Sequence, residues 1–325
     1  MHCFIKKDKV KAMIMKKDRL AITAAKLYYQ SDYSQTDIAK ELNLSRPSVS
    51  RLLHYAKTHG FVRIEIYDPI EDRGELSQKI AAKFNLKHVC IANSPIDDEE
   101  EIKNYIGKEA AEYLNKIIHD GDIIGVGWGT TMRSVSHYLK PKPLLGAQIV
   151  QLEGAITLSV CETYANEILN NFSKNYETIA QYLPLPVIFD SKKVKEMVYK
   201  DRHINRVLNL GNHANIALFS VGTTRDKALF FRLGYANTDE QAFLKKHSVG
   251  DICSRFIDEN GNIACPEFND RTVGIDLEYL HNKEYSILIA GGAAKVRSIL
   301  AAIKGGYTNV LITDQFTAKR LLENT

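Results

Sequence analysis

The chain has 325 residues, of which 45% are hydrophobic and 25% are charged, and its formal net charge is +4. These values are typical of a folded protein with two domains, and they exclude an intrinsically disordered chain and a collagen-like repeat. No apolar run approaches the roughly 18 residues of a membrane-spanning helix, and the N-terminus lacks the apolar core of a signal peptide, so we expect no membrane insertion.

The basic charge is concentrated at the N-terminus. Residues 1–67 hold 13 Lys and Arg against 6 Asp and Glu, a net charge of +7, so the remaining chain carries −3. A basic head on a mildly acidic body predicts that the head binds a polyanion. A basic segment without a specific partner is the alternative interpretation.

The basic head is predicted to carry three helices. We assign no structure to residues 1–15 and expect a disordered extension there, whereas apolar residues recur at helical spacing over residues 18–30. Two further helices are predicted over residues 35–42 and 46–59, because each follows a serine that can cap its N-terminus. Residues 61–66 alternate in polarity like a short strand.

The second and third predicted helices form a helix-turn-helix, the motif that places its second helix in the major groove of DNA. Ala39 is small where the two helices must cross, and Leu44 follows the tight turn between them. Arginine can bind guanine through two hydrogen bonds, and serine suits phosphates or base edges. We therefore predict a DNA-binding domain over residues 16–68, with a generic three-helix unit as the alternative. The residues predicted to contact DNA are Gln35, Thr36, Ser45, Arg46, Ser48, Ser50 and Arg51.

The body, residues 69–325, alternates apolar runs with helical stretches. The predicted strands are 88–92, 122–126, 147–152, 187–190, 214–221, 286–290 and 309–313. The predicted helices include 74–84, 99–119, 132–139, 162–174, 192–210 and 293–304. Several of the strands are rich in Val and Ile at both odd and even positions, as expected for strands buried on both faces. The alternation predicts an α/β fold, with a doubly wound, mainly parallel, Rossmann-like sheet.

A glycine-rich turn follows the second predicted strand, over residues 127–131, with the sequence GWGTT. Glycines let the backbone approach an anion, and the threonine hydroxyls and the free amides of a helix start can donate to it. The turn is neither a Walker loop nor a complete dinucleotide-binding motif, and a purely structural turn is the alternative. Residues 220–224 and 291–295 repeat the pattern, and Lys295 adds a positive charge. Because ligands bind at the carboxyl ends of such strands, we expect the three turns to converge.

Candidates for catalysis are few. No nucleophile elbow, Ser/His/Asp set or metal-ligand cluster is recognisable, and we predict neither a cofactor nor a metal ion. The five cysteines stand singly, which favours reduced cytoplasmic thiols over disulfides or a zinc site. Asp251 can accept hydrogen bonds from sugar hydroxyls, or it can be a plain turn carboxylate.

The chain resembles the SorC-type sugar-responsive bacterial transcription regulators in five separated segments, and the resemblance covers residues 18–323. These segments are LYYQSDYSQTDIAKELNLSRPSVSRLL, GDIIGVGWGTTM, QYLPLPVIFD, VGDICSRFIDENGN and AGGAAKVRSILAAIKGGYTNVLITD. Within the family, the segments point to the deoxyribonucleoside-regulator (DeoR) branch.

The resemblance implies a DNA-binding head and an effector domain related to phosphosugar isomerases and glucosamine-phosphate deaminases. It also implies a homo-oligomer, a dimer or tetramer, on operator double-stranded DNA. The implied effector is a phosphorylated sugar, such as deoxyribose 5-phosphate or another pentose or hexose phosphate. By motif match, the glycine-threonine turn and Lys295 would hold the phosphate, and Asp251 would contact the sugar hydroxyls. The predicted effector-binding residues are Gly127, Gly129, Thr130, Thr131, Glu153, Asp251 and Lys295.

One position departs from the branch. Deoxyribonucleoside regulators carry a lysine in the segment VQLKGG that can form an imine with an aldehyde sugar, whereas this chain reads VQLEGA with Glu153 at that position. A carboxylate has no amine to form the imine. The resemblance therefore implies an effector that is held noncovalently, or a different effector.

We expect a cytoplasmic repressor whose operator binding is controlled by a phosphorylated sugar. One alternative is an isomerase-like or deaminase-like enzyme of sugar phosphates with an added head. The basic head and the lack of a recognisable acid/base pair argue against that enzyme. A second alternative is a nucleic-acid-binding protein without a ligand, and the glycine-threonine turn argues against it.

Overall fold

The computed structural model describes residues 2–62, 64, 73–157 and 161–324, and the side chains of residues 2–14 and 73 are outside this description. The chain divides into two compact units, Met1–Glu71 and Asp72–Thr325. The boundary predicted between residues 68 and 69 lies outside the described residues. Within the described part of the chain, no helix combines the length and the apolar character needed to cross a bilayer.

The N-terminal unit contains α1 (His2–Tyr29), α2 (Gln35–Glu41) and α3 (Arg46–Thr58). Helix α1 begins earlier than predicted and includes the segment for which we expected disorder. No glycine or proline interrupts the sequence before Pro47, and this stretch is rich in Lys, Met and Ala, which are good helix formers. The predicted strand over residues 61–66 lies largely outside the described residues, and residues 61, 62 and 64 are not part of a strand.

Both predicted serine caps are confirmed. The Ser34 hydroxyl accepts the backbone N–H of Asp37 at 3.2 Å, and the Ser45 hydroxyl accepts that of Ser48 at 3.3 Å. Each cap satisfies an amide that the first turn of its helix leaves without a partner. The three helices enclose a small apolar core, and its buried members are Ala21, Ala24, Ala25, Ile38, Ala39, Val49, Leu52, Leu53 and Ala56.

The second unit is built on a seven-stranded sheet. Its strands are β1 (His88–Ala92), β2 (Ile123–Val126), β3 (Gln148–Gln151), β4 (Ile179–Gln181), β5 (Ile216–Phe219), β8 (Tyr285–Ile289) and β9 (Val310–Asp314), and β6 (Gly250–Ile252) and β7 (Arg255–Ile257) form a separate hairpin. The order is β1-β9-β8-β5-β2-β3-β4, and every neighbouring pair is parallel. The predicted parallel sheet is confirmed.

Helices cover both faces of this sheet. They are α4 (Arg73–Phe84), α5 (Glu99–Ile117), α6 (Thr130–Tyr138), α7 (Ala165–Tyr176), α8 (Lys192–Tyr199), α9 (Arg202–His213), α10 (Leu229–Arg232), α11 (Thr238–His247), α12 (Pro266–Arg271), α13 (Val296–Lys304) and α14 (Gln315–Glu323), with short 3₁₀ helices at Leu277–Leu280 and Ala293–Lys295. Alternate residues of one strand enter different cores. Ile287 and Ile289 pack with α5, α6 and α7, whereas Leu288 packs with α4, α13 and α14. Both faces are therefore buried, as the Val- and Ile-rich runs predicted.

Two predicted elements of the body are wrong. Residues 187–190 form no sheet strand, and Ile188 makes only an isolated bridge with Thr272, because Pro184 and Pro186 precede it and lack the N–H that a ladder needs. The strand beside β3 is β4, which lies at the edge of the sheet. The predicted helix over residues 192–210 is two helices, because Asp201 caps α9 by accepting two of its backbone N–H groups.

The β6–β7 hairpin is absent from the sequence prediction. Its two-residue turn consists of Cys253 and Ser254, with φ of 47° and 64°. Two positive φ values in a two-residue hairpin loop are typical of a type I′ turn, for which Asn-Gly is the usual signal, and the Cys-Ser pair does not carry that signal. The bridge between Val221 and Ile252 joins the hairpin to the end of β5.

Two helical glycines provide a test of the packing between α5 and α6. A Cβ on Gly107 in α5 would overlap the Ser134 side chain of α6 and lie 3.0 Å from its backbone carbon, whereas a Cβ on Gly211 in α9 would meet only Leu152 at 3.7 Å. Gly107→Ala should lower the stability by roughly 1–3 kcal/mol, because overpacking outweighs the gain in helix propensity. Gly211→Ala should raise it by about 0.5–1 kcal/mol.

Thermal unfolding followed by circular dichroism checks both glycine variants, and the Gly211 variant is the matched control. A melting temperature of Gly107→Ala at or above that of the unsubstituted chain would contradict the close crossing of α5 and α6.

Candidate functional site

A cavity of about 870 Å³ opens at the carboxyl ends of β2, β5 and β8, which are neighbours in the sheet. The turns that follow all three strands line it, together with residues from the start of α5 and from the β6–β7 hairpin. The three turns therefore converge, as the sequence predicted. The carboxyl edge of a parallel sheet is the usual place for a ligand in such folds.

The turn after β2 leads directly into α6. Gly129 precedes the helix with φ of 109°, a conformation that favours glycine, and its N–H donates to the Thr163 carbonyl at 3.0 Å. The indole N–H of Trp128 donates to the Gly154 carbonyl at 3.0 Å and holds the turn against the neighbouring strand end. A glycine cannot cap the helix with a side chain, so the first-turn amides of α6, beginning at Thr130, depend on other acceptors.

Lys295 connects the three turns. Its ammonium donates to the Thr131 hydroxyl at 3.3 Å and to the Ser220 hydroxyl at 3.2 Å. Burial, and then the nearby Lys103, lower the pKa of Lys295 to about 8, against the opposing effects of Asp251 and Glu99. One half-buried cation and two hydroxyls thus face the cavity, and we call these three residues (Thr131, Ser220 and Lys295) the cationic end.

Glu153 follows β3 and reaches the cavity from a buried position, with only 4% of its surface exposed. Its Oε2 accepts the Ser254 hydroxyl at 2.7 Å, and a Cβ on Gly127 would lie 3.3 Å from its Oε1. Burial raises the pKa of Glu153 to about 8, and the charge of Asp251 adds to this, whereas the hydrogen bonds from Ser254 and from the Trp128 backbone lower it. Glu153 is therefore mostly protonated at neutral pH.

Asp251 lies on β6 beside Glu153. Its Oδ2 accepts the Ser254 backbone N–H at 3.2 Å, and a Cβ on Gly222 would overlap its carboxyl group, so a glycine is needed there. Burial raises the pKa of Asp251 to about 6, while the Ser254 hydrogen bond and Lys295 lower it. We call Glu153, Asp251 and Ser254 the carboxyl end of the cavity.

Charged pairs surround the mouth of the cavity. Arg225 lies 3.3 Å from Glu99, and Lys103 lies 2.6 Å from Glu100. Both carboxylates belong to the first turn of α5, where the helix dipole favours negative charge. These pairs can exchange partners when an anion enters, because exposed ion pairs are weak.

All seven residues predicted to bind the effector lie at this cavity: Thr130, Thr131, Glu153, Gly129, Asp251 and Lys295 line it, and Gly127 lies against the Glu153 carboxyl. The sequence analysis did not single out Ser254 or Lys103. Ser254 follows Asp251 by three residues within the segment VGDICSRFIDENGN, which is a weak local signal. Lys103 carries no local signal, because only the fold brings α5 to the turn after β8.

The predicted DNA-contact residues lie at the N-terminal ends of α2 and α3 and in the first half of α3. Thr36, Ser45, Arg46, Ser50 and Arg51 are exposed, and Gln35 and Ser48 are half-buried. The Ser45 and Ser48 hydroxyls lie 2.9 Å apart, and Arg51 donates to Ser48 at 3.3 Å. The arginines are thus presented at the N-terminal half of the second helix of the motif, as in the helix-turn-helix geometry.

Comparisons with known proteins agree with both units. The sugar-binding domain family matches residues 68–323. The chain is 51% identical to the deoxyribonucleoside regulator of Bacillus subtilis over 312 residues, which cover 96% of this chain and 100% of that protein. It is 29% identical to the sorbitol operon regulator of Klebsiella pneumoniae over 94% of this chain and 98% of that protein.

Solved structures give the same result. The full-length sorbitol operon regulator SorC from Klebsiella pneumoniae superposes with a TM-score of 0.75 at 30% identity, covering 94% of this chain and 98% of that one. A DeoR family transcriptional regulator from Listeria monocytogenes superposes with a TM-score of 0.71 at 27% identity over 77% of this chain and all of that one. These relatives are named as regulators, so the alternative of a sugar-phosphate isomerase or deaminase is not supported. The chain belongs to the SorC-type family of transcription regulators, in which a sugar-binding domain accompanies a DNA-binding head.

Proposed function

We propose that the chain is a cytoplasmic repressor that binds operator DNA as a homo-oligomer and releases it when a phosphorylated sugar binds. The observation that carries this proposal is the contact of Lys295 with Thr131 and Ser220 inside a cavity. A half-buried ammonium, two hydroxyls and a helix start form the donor set that phosphate requires.

The remaining space suits a sugar. The cavity is far larger than a phosphate, and its carboxyl end offers Glu153 and Asp251 to hydroxyl groups. The cationic end thus suits the phosphate of a sugar phosphate, and the carboxyl end suits its sugar hydroxyls. Deoxyribose 5-phosphate is the first candidate, because a relative that is 51% identical is named a deoxyribonucleoside regulator.

The head supports the DNA-binding half of the proposal. Residues 1–67 carry a net charge of +7, and the exposed arginines of α3 lie where the helix-turn-helix motif contacts the major groove. Phosphates of the DNA backbone would be held by the hydroxyls of Thr36 and Ser45, which stand near the starts of α2 and α3.

Removing the α3 arginines tests the DNA contact. Arg46→Ala and Arg51→Ala should each weaken operator binding by about 1–3 kcal/mol and relax the choice of base at one position, if the arginine binds a guanine through two hydrogen bonds. Arg19→Ala is the control, because it removes the same charge from α1 and should lower affinity less and equally for every sequence. Gel-shift titrations at fixed salt measure all three, and unchanged affinity in both α3 variants would contradict the assignment.

Removing one hydroxyl tests the phosphate contact. Thr131→Val should remain folded and bind DNA, but its effector affinity should fall by about 1.5–3 kcal/mol, because a phosphate loses a charge-assisted hydrogen bond. Thr313→Val is the matched control, since Thr313 is also buried and, among the described residues, its hydroxyl has no hydrogen-bond partner.

Calorimetry with sugar phosphates and gel shifts with operator DNA report the two halves of this experiment separately. A Thr131→Val protein with the effector affinity of the unsubstituted chain would show that the turn after β2 is only structural.

Covalent trapping tests the role of Glu153. An imine needs an unprotonated amine at the aldehyde carbon, so borohydride treatment with deoxyribose 5-phosphate should add no mass at residue 153, and the effector should dissociate on dialysis. Intact-mass spectrometry measures the adduct. The competing site is Lys295, whose lowered pKa of about 8 leaves some neutral amine at neutral pH. An adduct on the unsubstituted chain would overturn noncovalent binding, and peptide mapping would identify the lysine.

A further inference from the structure

The two ends of the cavity differ in charge. Lys295 provides the cation at one end, and Glu153 and Asp251 provide two carboxyls at the other. The charge of Lys295 lowers the pKa of Asp251, and the charge of Asp251 raises the pKa of Glu153. The three groups therefore lie close to one another. A ligand that spans the cavity therefore meets a donor-rich cationic end and then a pair of carboxyls.

The Glu153 carboxyl is fixed in place by the backbone around it. Its Cα and Cβ pack against Gly274, whose φ of 135° and lack of a side chain permit the bridge between the two residues. Its Oε2 is held by the Ser254 hydroxyl, and its Oε1 lies over Gly127. The Trp128 backbone also donates to this carboxyl, which cannot turn toward bulk water and keeps further acceptor capacity, or an O–H when protonated, for the occupant of the cavity.

Burial raises the pKa of both carboxyls, to about 8 for Glu153 and to about 6 for Asp251, and the charge of Asp251 adds to the rise at Glu153. The protonated form of Glu153 is therefore favoured over that of Asp251. A protonated carboxyl has an O–H to donate, and an ionised carboxyl accepts. A hydroxyl group, which donates and accepts at once, satisfies both.

We propose that Glu153 determines effector specificity: with Asp251 it binds the neutral hydroxyl or carbonyl end of a sugar monophosphate, and the pair rejects a ligand with a second anionic group at that end. This inference rests on the proposed function, because it takes the cationic end as the phosphate site. The carboxyl end would thus favour sugar monophosphates over sugar bisphosphates and over phosphorylated sugar acids.

Arg255 is a buried cation close enough to Glu153 to lower its pKa, and it has no donor left for an incoming anion. Its Nε donates to the Ile275 carbonyl, one terminal nitrogen donates to Asn269, and the other donates to the Gly274 carbonyl and pairs with Asp276 at 2.7 Å.

The neighbouring Cys253 thiol adds no further negative charge to this end of the cavity and supplies no positive charge. Burial raises the pKa of the Cys253 thiol well above its usual value, so the thiol stays neutral. A ligand carboxylate beside Asp251 would therefore be both desolvated and repelled.

Matched pairs of ligands test whether the carboxyl end rejects a second anionic group. Sorbitol 6-phosphate and 6-phosphogluconate differ in a hydroxymethyl against a carboxylate, and deoxyribose 5-phosphate and its oxidised acid differ in an aldehyde against a carboxylate. In calorimetry with the full chain, the acid of each pair should bind at least about tenfold more weakly than its neutral partner. Asp251→Asn should narrow that gap, because it removes the repelling charge. Equal affinities within both pairs would overturn the inference.

Two substitutions test Glu153 itself. Glu153→Gln keeps the shape and an N–H donor, so neutral-ended sugar phosphates should bind within about threefold of the unsubstituted chain, whereas Glu153→Met should lose about tenfold or more. Inorganic phosphate is the control probe, since it occupies only the cationic end and should bind both variants equally. Unchanged sugar-phosphate affinity in Glu153→Met would overturn the assignment of specificity.

The pH dependence gives a readout that a structural role would not produce. The charged groups that act on Glu153 are Asp251 and Arg255, and those that act on Lys295 are Lys103, Asp251 and Glu99. Both the Glu153 proton and the Lys295 charge are present below their pKa of about 8 and lost above it. Each loss weakens binding by up to about tenfold per pH unit. Between about pH 8 and 9 the unsubstituted chain should therefore lose affinity more steeply than Glu153→Gln, in which only Lys295 titrates in that interval. Parallel profiles would contradict the inference.

Failure of the proposed function looks different. In that case the unsubstituted chain would bind neither a neutral-ended sugar phosphate nor inorganic phosphate. That result would overturn both proposals. Binding of sugar monophosphates without discrimination at the carboxyl end overturns only the role of Glu153.

Discussion

The contact of the Lys295 ammonium with the Thr131 and Ser220 hydroxyls is the interaction on which the cavity depends. A parallel sheet places the carboxyl ends of its strands at one edge, and the order β8-β5-β2 makes the three glycine-containing turns neighbours. Lys295 then joins the turns through Thr131 and Ser220. The turn that carries Lys295 is itself fixed by a buried carboxylate, because the Gly292 N–H donates to Asp314 and to Thr317.

A second cation organises the opposite side of the cavity. Arg255 is only 1% exposed, and its hydrogen bonds tie the β6–β7 hairpin to the segment from Asn269 to Asp276. That segment includes Gly274, which bridges Glu153, and the hairpin carries Asp251 and Ser254. A buried arginine is stable only when all its N–H groups are bonded, so the network is rigid, and this rigidity keeps the two carboxyls at a constant separation.

Much of the fold could be predicted from the sequence, and the failures have local causes. Buried parallel strands such as β5 and β8 carry apolar runs, and the serine caps of α2 and α3 are short-range signals. The edge strand β4 was missed because Ile179–Gln181 is short and half-exposed, without the apolar run of a central strand.

The site was predictable only where its residues follow strands. Thr131, Ser220 and Lys295 each stand in or just beyond a glycine-containing turn that follows an apolar run, and that pattern is visible in the sequence. The contacts of Glu153 with Ser254 and Gly274 join positions that are distant in the chain, and they arise from a hairpin whose Cys-Ser turn has no recognisable turn signal. The raised pKa of Glu153 follows from its burial in the folded chain. The sequence could therefore identify Glu153 as a departure from its branch, but it could not show the raised pKa.

The titratable groups of the cavity are held in an electrostatically unfavourable arrangement, which suits a regulator. Burial shifts the pKa of Lys295 down and those of Glu153 and Asp251 up, and each shift means that the folded state penalises the charged form of that group. A phosphate beside Lys295 would favour its charged form and raise its pKa, and a sugar hydroxyl beside Glu153 would favour its protonated form. Above about pH 8, binding would then take up protons at both ends of the cavity. A bound sugar phosphate would relieve these penalties, so its binding would lower the free energy of the protein more than in a cavity without shifted pKa values. An effector can use this free energy to change DNA affinity.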